Sequence, residues 1–183
     1  MQTCYLIHGI KTRDANRSSI SFLKYALKGF TVKVLSYGYI PVLLAPITSV
    51  INWFVVRRFV KQLTPGNVLI GHSNGCTIAY KISNKLYTKG LVLINPALDA
   101  DVKFDPFISF IHIYWSRNDK VTWLSKFVPF SDWGSMGSVG YKGSDPRVKQ
   151  FEMDINHTDI GEAEIAAVWG PFIVSNLNAE FKD

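Results

Sequence analysis

Apolar residues along this chain follow two kinds of spacing, one typical of strands and one typical of helices. Segments with the two kinds of spacing alternate, which predicts strands separated by helices. Runs rich in apolar and β-branched residues, each of strand length, lie at residues 3–7, 31–37, 68–70, 91–94 and 107–115, and residues 148–155 alternate between apolar and polar as a last strand would. Apolar residues spaced three and four apart predict helices from residue 18 or 19 to 28, at 47–63, from 76 onward, and from 161 or 162 to 173. Pro171 is expected to kink or end the last helix. Strands that alternate with helices are typical of an α/β fold with a parallel sheet.

The most informative stretch is the turn between the third predicted strand and the helix after it. Residues 68–75 read Val-Leu-Ile-Gly-His-Ser-Asn-Gly, so an apolar run ends at Gly71 and helical spacing resumes at Cys76. In this context Gly71-x-Ser73-x-Gly75 resembles the nucleophile elbow of the α/β-hydrolase family. There, glycines let a strand and a helix approach closely on either side of a strained serine. The resemblance implies that Ser73 is the nucleophile.

The resemblance extends to two residues later in the chain. Asp119 follows the predicted strand at 107–115, where the family places its acid, and His157 follows the last predicted strand. The order Ser73, Asp119, His157 is the family's order of nucleophile, acid and base. The resemblance therefore implies a catalytic triad of these three side chains.

Other aspartates, and another role for Asp119, are alternatives. Asp119 would also suit the cap of the helix that is predicted to begin near Thr122. Asp99, Asp101 and Asp105 compete for the acid, because some relatives place it after the preceding strand.

The three other histidines are expected to be structural. His8 would hold a turn, His72 would point away from Ser73, and His112 would be buried and neutral in a central strand.

The first predicted strand ends in His8-Gly9-Ile10, and family members commonly carry a His-Gly-x turn at this place. The resemblance implies that the backbone amides of Ile10 and Asn74 are the two oxyanion donors. Because the family's two leading strands are missing, it also implies a reduced fold over residues 1–183. That fold would be a single three-layer α/β domain with a mostly parallel sheet of about six strands and helices on both faces. The short connection at 97–106 leaves no room for a cap domain, so a shallow, uncovered site is expected.

A long irregular segment at 127–147 is rich in Gly, Ser, Pro and aromatic residues. Long loops of this kind are usually functional or mobile. Trp133, Met136 and Tyr141 are candidates to line an apolar substrate pocket. The alternative is that these side chains form a satellite cluster packed under the loop.

Size and composition favour one domain. The chain has 183 residues, of which 48% are hydrophobic, enough for one buried core and too few for two ordinary domains. The formal net charge is +6 with the basic residues scattered, so no nucleic-acid partner is expected. Cys4 and Cys76 show no metal-ligand spacing and are expected to be small buried hydrophobes. The N-terminus lacks the pattern of a signal peptide, which predicts a cytoplasmic protein.

One apolar segment raises the question of a membrane. Residues 39–56 carry no formal charge and Arg57-Arg58 follow, which is about the length of a membrane span. Pro41 and Pro46 interrupt the segment, and its apolar spacing favours a helix packed on the sheet. A lid or interfacial role for residues 37–44 stays open. A membrane-associated lipase, in which residues 37–56 meet lipid, is a further alternative.

The function implied by the resemblance is hydrolysis of a carboxylic ester or thioester through an acyl-enzyme on Ser73. Such a carboxylesterase or lipase-like enzyme would take a small-molecule or acyl-chain substrate and would need no metal or organic cofactor. The alternative is a catalytically inactive binding or scaffold protein with the same fold. That alternative predicts that Ser73, Asp119 and His157 are not within hydrogen-bonding reach of one another.

Overall fold

A single sheet of six parallel strands forms the centre of the protein. The computed structural model describes residues 1–10, 12, 14, 18–125 and 127–182. The strands are β1 Thr3–Ile7, β2 Thr31–Leu35, β3 Asn67–His72, β4 Thr88–Ile94, β5 Phe110–Trp115 and β6 Val148–Glu152. Their order across the sheet is β2-β1-β3-β4-β5-β6, and every neighbouring pair is parallel. The predicted α/β fold with about six parallel strands is confirmed.

Helices cover both faces of the sheet and bury its strands. The helices are α1 Leu23–Ala26, α2 Thr48–Val60, α3 Asn74–Ser83, α4 Lys120–Ser125, α5 Met136–Val139 and α6 Ala163–Ala179. Successive strand side chains point to opposite faces, so Leu69 joins a core with α2 and α3 while Val68 and Ile70 join a second core with α1 and α6. Burial on both faces explains why β1, β3, β4 and β5 read as apolar runs, whereas the edge strands β2 and β6 carry exposed polar residues.

The connections of the sheet create a crevice at the carboxyl-terminal ends of its strands. From β1 the chain passes to β2 at one side, and then returns to β3 on the other side of β1. In open α/β sheets, ligands bind where the strand order reverses in this way, beyond the carboxyl ends of the strands. The turn that follows β1 and the turn that follows β3 both lie at this end of the sheet. They carry Ile10 and Ser73.

Several element boundaries differ from the predicted ones. The helix expected from residue 18 or 19 to 28 is reduced to α1, because residues 18–22 form tight turns such as that from Ser18 O to the Ser21 amide. The last strand ends at Glu152 rather than 155, and β5 begins at Phe110 rather than 107. A 3₁₀ segment, Val42–Ile47, precedes α2 where a loop was expected.

Pro171 does not end the last helix. Helix α6 continues through it to Ala179, although proline lacks the amide that an interior helical position uses. Ile173 and Leu177, which follow the proline, are fully buried in the core that contains α1. Their burial outweighs the hydrogen bond that the proline removes, so the expectation that the helix ends near Pro171 was wrong.

Candidate active site

The turn after β3 has the strained geometry of an elbow. Ser73 has φ 56° and ψ −126°, a backbone conformation that residues other than glycine rarely adopt. The flanking glycines permit it: a Cβ on Gly71 would lie 2.7 Å from the Cys76 amide, and one on Gly75 would collide with the Ile7 carbonyl. Strand β3, the turn and helix α3 therefore approach each other as closely as the Gly71-x-Ser73-x-Gly75 pattern predicts.

Three side chains that are distant in sequence meet at this turn. His157 Nε2 lies 2.8 Å from Ser73 Oγ, and His157 Nδ1 lies 2.8 Å from Asp119 Oδ2. All three residues are buried, with at most 8% of each exposed. The separation that an inactive scaffold predicts is therefore not observed.

Both oxygens of Asp119 are hydrogen-bonded. Oδ2 accepts from His157 and, at 3.0 Å, from Asn95 Nδ2, while Oδ1 accepts the backbone amide of Thr122 at 2.9 Å. Burial alone would raise the pKa of this carboxyl, but the hydrogen bonds and the His157 charge more than offset it and lower the pKa below its ordinary value. Asp119 thus both caps α4 and contacts His157, so the two roles considered from the sequence coexist.

The competing aspartates lie outside this arrangement. Asp99 is exposed, Asp105 accepts the Phe107 amide at 2.8 Å, and Asp101 lines a separate shallow cavity. Asn95, in contrast, is a site residue that sequence reasoning missed. It directly follows β4 with a positive φ of 45°, and its amide group bonds the Asp119 carboxylate. The Asn-Pro pair after an apolar run was the available signal.

Two backbone amides are available beside Ser73. The Asn74 amide is the first of helix α3, and the Ile10 amide follows the turn at Gly9, whose added Cβ would lie only 3.1 Å from Ser73 Cβ. Neither amide has a protein acceptor among the residues that the structure describes. Free amides at the start of a helix favour a negative charge.

The Asn74 side chain belongs to a buried polar network. It exchanges two hydrogen bonds with Asn52 of α2, at 2.9 and 3.0 Å, and accepts the Trp133 indole N–H at 2.7 Å. It also donates to the Tyr37 hydroxyl at 3.3 Å, and burial raises the pKa of that hydroxyl. The network ties the first turn of α3 to α2 and to the segment after α4. Nothing in the local sequence pattern indicated it.

The His72 side chain lines the same cavity, but its hydrogen-bond partners are His157 and Ser19 rather than Ser73. Its Nε2 lies 2.9 Å from the His157 carbonyl and its Nδ1 lies 2.8 Å from the Ser19 hydroxyl. Since a carbonyl only accepts, Nε2 carries the proton and Ser19 donates to Nδ1. Burial, helped by the His157 charge, lowers the pKa of His72 to about 3. His72 is therefore a neutral residue that holds the loop of His157.

The low pKa of His72 predicts acid sensitivity. Unfolded His72 takes up a proton below its ordinary pKa of about 6.5, whereas folded His72 does not, so stability should fall as the pH is lowered from about 6.5 toward 3. The free energy of unfolding should lose up to about 1.4 kcal/mol per pH unit through this group. Urea unfolding of the wild type and of His72→Gln across this range measures it. Equal slopes in the two proteins would contradict the assignment.

A cavity of about 840 Å³ opens in front of Ser73 and His157. Polar groups, including Thr12, Asp14, Ser19 and Thr158, contribute to its lining; apolar ones are Ala45, Ala97, Val121, Leu124, Val128 and Trp133. No cap domain is inserted between β4 and β5, as expected. The walls come instead from the 3₁₀ segment and from the chain at and after α4, which makes the site deeper than predicted.

Of the three predicted pocket residues, only Trp133 lines this cavity. Met136 is fully buried in the core that α2 and α3 form with the sheet. Tyr141 lines the separate shallow cavity near Asp101. Both belong to the main core that contains Leu69 and Leu91, so they form neither the substrate pocket nor a satellite cluster under the loop. In the part of the chain that is described, His, Cys, Asp and Glu form no group of three that could hold a metal ion.

Comparison with solved structures finds the same fold over the whole chain. A protein described as a hydrolase of the α/β superfamily from Xanthomonas campestris pv. campestris is 16% identical, with a TM-score of 0.61 over 98% of this chain and 99% of that one. The ydeN gene product of B. subtilis is 17% identical, with a TM-score of 0.60 and all of both chains covered. The esterase domain of a Rhodothermus marinus protein is 13% identical, with a TM-score of 0.57 over 95% of this chain and 85% of that one. At these identities the likeness shows the fold. No protein-family model matches the sequence, and no curated protein is significantly similar to it.

Proposed function

We propose that this chain, which has the α/β-hydrolase fold, is a serine hydrolase that cleaves carboxylic esters or thioesters through an acyl-enzyme on Ser73. One observation carries the proposal: a continuous hydrogen-bonded chain from Ser73 through His157 to Asp119, with 2.8 Å at each step. A serine hydroxyl is a weak nucleophile at neutral pH, and an adjacent base that accepts its proton makes it reactive.

In the first half of the reaction, Ser73 Oγ forms a bond to the carbonyl carbon of the substrate, and its proton passes to His157 Nε2. The carbonyl oxygen becomes an oxyanion beside the amides of Ile10 and Asn74. His157 then gives the proton to the leaving alcohol or thiol, whose bond to the carbon breaks. Oxyanion donors of this kind contribute about 3 to 4 kcal/mol each in well-studied enzymes.

In the second half, water repeats the sequence on the acyl-enzyme. His157 accepts a proton from the water, the hydroxide adds to the acyl carbon, and Ser73 Oγ leaves with the proton that His157 returns. Asp119 keeps the proton of the resting imidazole on Nδ1, so that Nε2 faces Ser73 as an acceptor. Its carboxylate also stabilises the imidazolium that forms in each half.

The lining of the cavity favours an apolar acyl group. Val121, Leu124, Val128 and Trp133 cover one side, whereas Thr12, Ser19 and Thr158 contribute polar groups. Apolar surface that leaves water in the apolar part stabilises binding by about 25 cal/mol per Å². We therefore assign the acyl chain to the apolar part and the more polar leaving group to the remainder.

A fluorophosphonate probe tests the proposal. It phosphonylates only a serine that a neighbouring base has activated, so the wild type should be labelled at Ser73 and Ser73→Ala should not. Ser125→Ala is the matched control, because Ser125 lines the same cavity but bonds backbone carbonyls instead of a histidine. It should label like the wild type. A folded wild type that stays unlabelled, as judged by mass spectrometry of the intact protein, would overturn the proposal.

A further inference from the structure

Large apolar side chains are exposed on both sides of the cavity. We call this set the apolar rim. It comprises Leu43, Leu44, Ile47, Val50, Trp53 and Phe54 from the 3₁₀ segment and α2, and Val121, Trp123, Leu124, Phe127 and Phe130 from α4 and the residues after it. Phe54 is 62% exposed and Phe130 is 86% exposed. Scattered apolar residues are ordinary on a protein surface, but a set concentrated on two neighbouring segments marks an interaction surface.

The two parts of the apolar rim are neighbours at the mouth of the cavity. Ser49, in the first turn of α2, donates its hydroxyl to the Phe130 carbonyl at 3.0 Å. Ala45 lines the cavity from the 3₁₀ segment, and Val121 and Leu124 line it from α4. Whatever covers the rim therefore also covers the entrance to Ser73.

Helix α2 is apolar on two faces. Asn52, Val56 and Phe59 are buried inside, whereas Val50, Trp53 and Phe54 face outward. The stretch Leu43–Val60 is long and apolar enough to cross a membrane by length and composition. Its inner face packs in the same core as the sheet, and crossing a bilayer would strip that packing. The outward face thus suits contact with a surface rather than a span.

The charged residues near the apolar rim indicate which kind of partner it binds. Residues 15–98 contain ten Lys or Arg and no Asp or Glu, and 13 of the 14 acidic residues follow them. That stretch includes the 3₁₀ segment and α2, so this half of the rim lies in a part of the sequence without acidic residues. On α2 itself, Arg57 and Arg58 are exposed, and Arg57 lies 4.5 Å from the centre of the Trp53 ring. Of the acidic residues near the rim, Asp14 lines the cavity and Asp132 pairs with Lys81.

We propose that the apolar rim docks on the surface of an anionic phospholipid bilayer, which places the mouth of the cavity at the lipid boundary. Trp and Phe side chains insert at the headgroup level, and neighbouring arginines are attracted to anionic headgroups. A bilayer supplies both chemistries together over an area wide enough to face both parts of the rim. It also carries carboxylic esters, so the delivery of a lipid ester to Ser73 rests on the proposed function, whereas docking does not.

The test is sedimentation with vesicles of phosphatidylcholine alone or mixed with phosphatidylglycerol, using Ser73→Ala so that no lipid is hydrolysed. Binding should be at least about tenfold tighter to the mixed vesicles. Adding Phe54→Glu and Phe130→Glu should weaken binding about tenfold or more. Adding Arg57→Gln and Arg58→Gln should weaken binding to the mixed vesicles about fivefold per charge.

Phe107→Glu is the matched control. Phe107 is 75% exposed but precedes β5, so it lies at the amino-terminal ends of the strands, away from the cavity mouth. It should bind mixed vesicles within about twofold of its parent. Two results overturn docking: a folded parent that does not sediment with mixed vesicles, or rim variants that bind as the control does. A parent that is dimeric in solution and becomes monomeric with Phe54→Glu would also overturn it, since the rim would then join two copies of this chain. Because every arm carries Ser73→Ala, the outcome is independent of whether the wild type hydrolyses esters.

Discussion

Asp119→Asn is expected to lower kcat for hydrolysis of p-nitrophenyl butyrate about 10⁴-fold, by analogy with the same change in other serine hydrolases. The asparagine amide can donate to His157 Nδ1, which moves the imidazole proton to Nε2. Nε2 then faces Ser73 as a donor and can no longer accept the hydroxyl proton. The substitution also removes the negative charge that stabilises the imidazolium.

The hydrogen bonds of Asp119 predict that the same substitution also lowers the stability of the protein. In the wild type one oxygen accepts from Asn95 and His157, and the other accepts from the Thr122 amide. An asparagine must turn its own N–H₂ group toward one of these donors, so one donor loses its acceptor in either orientation. We expect a loss of about 1 to 3 kcal/mol in the free energy of unfolding, so activity should be measured where circular dichroism shows the variant folded.

Asp154→Asn is the control for this prediction. Asp154 lies at the same edge of the sheet and accepts a hydrogen bond from Asn118 at 2.6 Å, but it is exposed and does not contact His157. Its loss should change kcat by no more than about twofold. Folded Asp119→Asn protein that retains kcat within tenfold of the wild type, about 1.4 kcal/mol in activation free energy, would contradict the role assigned to Asp119.

Gly75→Ala is expected to destabilise the protein by about 3 kcal/mol or more, the upper range for overpacking in a rigid core. The added methyl group would collide with the Ile7 carbonyl and lie 2.6 Å from the His8 carbonyl. Both are backbone groups: Ile7 is the last residue of β1 and His8 follows it. Neither can turn aside as a side chain can, so α3 would have to move away from the sheet and carry Ser73 with it.

Gly170→Ala is the matched control, because it makes the same chemical change inside helix α6. There the nearest atoms outside the helix would be those of the Phe22 ring, at 3.1 and 3.3 Å, and a side chain can yield by a few tenths of an ångström. Alanine also favours a helix over glycine by about 1 kcal/mol. Urea unfolding should leave this variant within about 1 kcal/mol of the wild type. Equal losses in the two variants would show that the close approach at Gly75 is not required.

Local sequence was sufficient wherever a near neighbour dictates the conformation. The Gly71-x-Ser73-x-Gly75 turn was predictable because glycine is needed where a backbone passes within contact distance, and that need is visible in the residues themselves. The four inner strands were predictable because both of their faces are buried. The resemblance to the α/β-hydrolase family implied Ser73, Asp119 and His157, and each lies beyond a predicted strand.

Long-range contacts decided the rest. Whether Asp119 or Asp99 faces His157 depends on how two strand ends lie side by side, and no local pattern encodes that distance. The helix runs past Pro171 for the same reason, because Ile173 and Leu177 are buried against distant residues of the sheet and α1.

By itself, the sequence determined the parallel α/β architecture, the strained turn at Ser73 and the candidates for its partners, because steric limits and apolar periodicity act over a few residues. Only the tertiary structure decided that Asn95 supports Asp119, that His72 holds the loop of His157, and that the apolar rim surrounds the cavity. These relations join residues more than twenty positions apart, and their hydrogen bonds and exposure exist only after the strands have been brought into one sheet.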